Sequence, residues 1–254
     1  MRSLSSIVVC LIILFQPSVS KAEEIVLSYA QWKPIFYIDD AGEVVGIYKE
    51  ILDAVFVEGL GMTVSYDELP WSRAQKKVKS GASDIMITIP TEERLTYAEQ
   101  STDPFFQLYL HVMTYAGHKD MDAINKIKSV KDILSLNLTV GSNLGNGWIK
   151  QNIKKQGVPV YYVSDDENIL NFLKSRRPDI TIDVPVSMNL LIEKMGLQSD
   201  IVITPARFGP INMHLMISKK SKFLKLLPEI NRIFANLIAE GRIDAILRKF
   251  KAIL

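Results

Sequence analysis

Three polar stretches have the residue types and spacing to hold a small charged molecule. The first is DIMITIPTEERLTYAEQSTDPFF, Asp84 to Phe106. It starts apolar and β-branched, so Asp84 to Ile89 reads as a buried strand. Pro90 ends it, because proline donates nothing to a sheet ladder. Thr91 then suits a helix N-cap, and Glu92 and Glu93 suit a first turn. Arg94 lands just past the carboxyl end of a strand, where open α/β sheets bind ligands. Its planar fork can make two parallel hydrogen bonds to a carboxylate. A solvated surface arginine is the ordinary alternative.

The second stretch, SNLGNGW, is glycine-rich and opens a helical run from Gly147. Glycine lets backbone approach a bound group closely, and helix N-termini attract anions. An ordinary glycine-rich turn would look the same. In the third, Asp183 closes the strand-like DITIDV ahead of Pro185, which starts a helix. A carboxylate there can pair with a cation or cap the helix. Trp32 and Tyr37, in the loop after the first strand, and Trp71, at a helix start, are rings that can wall a pocket. Core packing also claims such rings. Thr88 adds a hydroxyl near its strand's end. His111, His118 and His214 lack a ligating partner at helical spacing and read as structural. No G-x-S-x-G, H-E-x-x-H or P-loop occurs, so no catalytic, metal or cofactor residue is assigned.

The elements carrying these residues belong to a chain of 254 residues, enough for one large domain or two modest ones. Hydrophobic residues are 48% of it, which supports a sizeable core. The 30 basic and 28 acidic residues nearly cancel, which removes the electrostatic case for nucleic acid. Arg2, the apolar run Ile7 to Phe15, Pro17 and the small residues Ser20 and Ala22 read as a secretory signal peptide over residues 1–22. The expected location is therefore the periplasm. Cys10, the single cysteine, lies inside that run, so the mature chain would hold no disulfide and no cysteine nucleophile.

The mature chain opens with alternating elements: strand Glu24 to Tyr29, helix Gly46 to Glu58, strand Met62 to Tyr66, helix Trp71 to Lys79 and strand Asp84 to Ile89. That order implies a parallel sheet covered by helices. A second alternating unit spans Ala116 to Phe208. Two similar strands bracket it, LYLHVMT from Leu108 and INMHLMI from Ile211. The expected fold is α/β with two lobes, each a mostly parallel sheet with flanking helices, joined by two hinge strands around a cleft. The expected division is a first lobe over residues 23–111, a second over 112–213, and a helical return to the first over 214–254.

The chain resembles the bacterial extracellular solute-binding proteins of family 3, the polar-amino-acid receptors of ABC importers. KSGASDIMITIPTEERLTYAEQSTDPFF is similar to the family's block of G-x-x-D, T-x-E-R and x-F-S-x-P-Y/F. The order of the lobes and the closing EGRIDAILRKF resemble the family as well. The resemblance implies a type II-like periplasmic-binding-protein fold. It implies that Arg94 clamps a ligand carboxylate and that Gly145 and Asn146 donate backbone hydrogen bonds to it. Asp183, in the D-x-P position, would pair with an α-amino group, and Trp32, Tyr37 and Trp71 would pack on the ligand. One position departs: the early acid of the family's G-F-D-x-D is Tyr48 here. The implied partners are a small carboxylate ligand, above all an amino acid, and an inner-membrane ABC permease. The implied state is a monomer without cofactor. Two alternatives share the fold: a sensor or accessory module without its own transporter, and a secreted enzyme similar to cyclohexadienyl dehydratase.

Overall fold

The computed structural model describes residues 23–250; the signal peptide read at residues 1–22 lies outside them. The first apolar run forms β1 (Glu24–Tyr29), paired in parallel with β4 (Thr63–Glu68) on one side and β5 (Ile85–Thr88) on the other. Parallel neighbours need crossovers. The first is α1 (Ile47–Leu52), which runs on as a π-helix over Asp53–Gly59, and the second is α2 (Trp71–Ser80). A hairpin of β2 (Tyr37–Ile38) and β3 (Val44–Val45) precedes α1. Gly46 joins the hairpin to α1 at φ 114°, where a Cβ would lie 2.4 Å from the Ile35 carbonyl oxygen, so only glycine fits. Thr91 caps α3 (Glu92–Leu95) by accepting from the Arg94 amide.

The first sheet closes against the end of β11 (Ile201–Ser218), whose residues His214 to Ile217 pair antiparallel with β5. β6 (Ala98–Gln100) pairs with that same end. The rest of β11 pairs antiparallel with β7 (Phe106–Tyr115), from Met213 opposite Phe106 to Ile201 opposite Tyr115. Between these strands the chain builds β8 (Val140–Asn143), β9 (Val160–Val163) and β10 (Ile180–Asp183). The resulting order is β4-β1-β5-β11-β7-β10-β8-β9, with β7 and β11 serving both halves. The second half carries α4 (Met121–Ile124), α5 (Val130–Ser135), α6 (Gly147–Asn152), α7 (Asp166–Lys174) and α8 (Pro185–Lys194).

Two last helices, α9 (Leu227–Ala239) and α10 (Arg242–Phe250), return to the first half. Phe234 stacks on Phe105 at 4.2 Å, and Lys249 and Arg242 pair with Glu50 and Glu58. Ile25, Leu27, Ile47, Ile51, Phe56 and Ile85 are buried in one core. Burying each such side chain stabilises the fold by about 1.5–3 kcal/mol. The loop expected to carry Tyr37 contains the β2–β3 hairpin, and two longer elements also differ from expectation. The helix expected to Glu58 changes to π spacing after Leu52. The return strand begins ten residues before Ile211, at Ile201, despite Pro205 and Pro210. Its ladder is interrupted between Ile203 and Arg207 and between Phe208 and Ile211, which frees those prolines from donating. No helix among the described residues is long and apolar enough to cross a membrane.

Candidate functional site

The carboxyl ends of β1, β5, β8 and β10 line one cleft between the two halves, with Leu108 and Leu110 of β7 and Met213 of β11 beneath it. Its cavity of about 190 Å³ would hold about six waters at roughly 30 Å³ each, so it accommodates a small organic molecule. Trp32, Phe36, Tyr48, Trp71 and Trp148 supply aromatic walls. Thr88, Arg94, Asn143, Asn146, Asp166 and Asp183 supply the polar groups.

Arg94 is 3% exposed. The turn after β5 delivers it, because Pro90 stops the strand and Thr91 starts α3. Its Nη1 donates to the Ile89 carbonyl at 2.8 Å, Nε to Gln75 Oε1 at 3.1 Å, and Nη2 to the Gly145 carbonyl at 3.2 Å. Arginine has N–H donors beyond these. Trp71 lies across the guanidinium, 5.4 Å from its carbon to the ring centroid. Burial lowers the Arg94 pKa to about 10, opposed by Tyr97 and Glu93, so the group stays charged at neutral pH.

Asp183 ends β10 in the opposite half and accepts from the Val184 amide at 2.8 Å. Val184, not Asp183, is the N-cap residue of α8, and no side chain caps that helix. Asp183 is therefore free of the capping duty that the sequence left open. Asp166, in the first turn of α7, reaches the same cavity and accepts from Asn143 Nδ2 at 2.8 Å. Water touches both carboxylates through the cleft, yet protein surrounds them. Burial, reinforced by the Asp166 charge, pushes Asp183 up to about 7. Burial also raises Asp166. Among the described residues neither carboxylate has a lysine or arginine partner.

Of the residues singled out in the sequence, Arg94, Asp183, Asn146, Thr88, Trp71 and Trp32 meet around this cavity. Tyr37 does not: it stands in β2, with Lys33 Nζ 5.0 Å above its ring. Gly145 is not among the residues lining this cavity, and it meets Arg94 through its carbonyl. Its carbonyl takes bonds from Arg94 and from Gln75 Nε2 at 3.1 Å. Its φ of 91° explains the glycine. Asn146 uses its side chain to cap α6, accepting from the Ile149 amide at 3.1 Å. Sequence reasoning missed Asp166, Asn143, Trp148 and Gln75. Tyr48 was visible only as a replaced acid; its hydroxyl is buried without a hydrogen-bond partner.

A family model for bacterial extracellular solute-binding proteins, family 3, matches residues 25–252. A comparison with curated protein sequences gives no match. Among solved structures, a histidine kinase sensor domain with similarity to periplasmic binding proteins superposes with TM-score 0.75 at 19% identity, covering 92% of this chain and 98% of its own. An ancestral arginine-binding protein bound to arginine gives 0.69 at 22% identity, covering 90% and 97%. An amino acid ABC transporter substrate-binding protein from Streptococcus pneumoniae bound to L-arginine gives 0.68 at 20% identity, covering 90% and 95%. At these identities the likeness shows the two-lobed fold. Since the family match runs almost from β1 to the end of the chain, this protein belongs to the family 3 bacterial extracellular solute-binding proteins.

Proposed function

We propose that the protein is a secreted, monomeric receptor that closes over an amino acid in the periplasm and delivers it to an ABC permease. One observation carries this reading: Arg94 from one half and Asp183 from the other line the same cavity. A zwitterion offers a carboxylate to the first and an ammonium to the second. Desolvating both ions costs several kcal/mol each unless both are paired and hydrogen-bonded. Closure of the two halves supplies that pairing, and a ligand favours closure by as much as it binds the closed form better. The ligand carboxylate would share Arg94 with the Gly145 carbonyl or displace it. Two of the structural neighbours are arginine-bound, which supports the amino-acid class.

The test is a thermal-shift screen of the mature protein, unfolded and refolded beforehand to strip bound ligand. An amino acid at a hundred times its Kd should add about 2.7 kcal/mol. Arg94→Ala should abolish the shift while the protein still melts cooperatively; an unchanged affinity sinks the clamp assignment. No covalent chemistry is proposed, and the ligand should be recovered intact after incubation. The likeness to a kinase sensor domain favours a second reading, in which closure signals to a membrane partner. Stimulation of a permease's ATPase by the loaded receptor separates transport from sensing.

A further inference from the structure

The charges in the cleft do not balance with an ordinary zwitterion. Arg94 supplies one positive charge, and Asp166 and Asp183 supply up to two negative ones. Arg94 already has three protein acceptors. The carboxylates are poorly served: Asp183 takes one amide, and Asp166 takes one Asn143 N–H on Oδ1. Enclosed carboxylates are costly to keep ionised without a cation. Trp32 and Trp148 also line the cavity, and tryptophan rings attract positive charge. Tyr48 also lines this cavity, but its hydroxyl is buried and finds no partner in the protein. Where the family resemblance leads one to expect an acid, the phenol adds no charge, which leaves Asp166 as the second anion.

We propose that Asp166 sets the ligand's charge, and that with Asp183 it makes the cleft select amino acids bearing a second positive group, a guanidinium or an amine. This rests on the amino-acid reading above. With both carboxylates ionised, a zwitterion leaves the site one charge negative, whereas a ligand of net charge +1 neutralises it and favours that ionised form. Asn143 is a positioning residue that holds one oxygen of Asp166 and leaves the other to the ligand.

Calorimetry on the refolded mature protein tests this with matched pairs: L-arginine against L-citrulline, and L-lysine against L-norleucine. The cationic member of at least one pair should bind about tenfold tighter or more. Asp166→Asn should pull that ratio toward one, and Asn143→Ala should move it the same way. Equal or tighter binding of both neutral members overturns the inference while leaving the amino-acid reading intact. A ratio unmoved by Asp166→Asn in a variant that melts normally also overturns it; if that variant does not fold, the wild-type ratios decide. Agmatine has the guanidinium without the carboxylate. Its binding, with no amino acid binding, keeps the charge selection and removes the amino-acid reading. A folded protein that binds none of these compounds removes both.

Discussion

Asp183 and Arg94 are pushed toward neutrality from opposite directions, Asp183 up to about 7 and Arg94 down to about 10. Only the carboxylate crosses physiological pH. The groups facing it are Asp166 from α7, the Val184 amide from α8, and His111, its register partner on β7, whose Nδ1 bonds the Thr204 carbonyl at 2.9 Å. A ligand ammonium needs the ionised form, so a proton competes with it. Affinity should therefore rise from about pH 5 to about pH 8 and then level off, with proton release visible as buffer-dependent binding heat. A flat profile removes Asp183 from the ammonium site. The free protein should behave oppositely. A carboxyl raised from 3.8 to about 7 contributes its full stability below the ordinary carboxylate range and loses it as pH rises through about 7. Arg94 was legible because strand, proline and cap succeed one another within a few residues and leave it one place to go. Asp183 was legible because it abuts the end of a strand. Asp166 was not: it is the middle of Asp165-Asp166-Glu167, and only the rotation of α7 against the sheet decides which acid faces the cleft. Tyr37 was misplaced for a similar reason, since a loop ring carries no direction until the β2–β3 hairpin turns it away.

At the scale of elements, α3 of the first half contacts α6 and the short turn that follows it, Lys154–Gln156, in the second. Glu93 pairs with Lys150 at 2.6 Å, Glu92 with Lys155 at 2.5 Å, and the Glu92 amide donates to Gln151 Oε1 at 3.1 Å. These groups are exposed, so the ion pairs are weak and screened by salt. They nevertheless exist only when the halves approach, which makes them a bias on closure rather than on folding. Replacing Lys150 and Lys155 by glutamate should weaken ligand affinity more at low salt than at high salt, with little change in the melting temperature without ligand. Affinity that ignores both the change and the salt would show that closure does not depend on this contact. The parallel strands of the first half and the helices between them were readable from period and punctuation, whereas the short β2–β3 hairpin and β6 were not. The start of β11 was not, because Pro205 and the Gly209-Pro210 pair argue against a central strand. They are tolerated where the β7 ladder is already broken, a property of two strands together that neither stretch shows alone. The π spacing after Leu52 was hidden likewise, since apolar periodicity marks a buried helical face without fixing its hydrogen-bond step.

For the whole molecule, the two-lobed plan was legible in the similar strands bracketing an alternating unit. Their meeting edge to edge in one sheet emerged only from the topology. That meeting has a mechanical consequence. β1, α9 and α10 all belong to the first half, with α10 tied to α1 through Lys249 and Glu50. The segment from Ala116 to Asp200 hangs from β7 and β11 as a side loop. Tension applied between the two ends of the described chain would load the first half alone and bypass the second until β11 is stripped from β5. Stretched singly in an optical trap, the molecule should give way in two ordered steps, the first half always leading. Ligand in the cleft would bind the shielded half to the loaded one, raising the force of the first step and merging the two events into one.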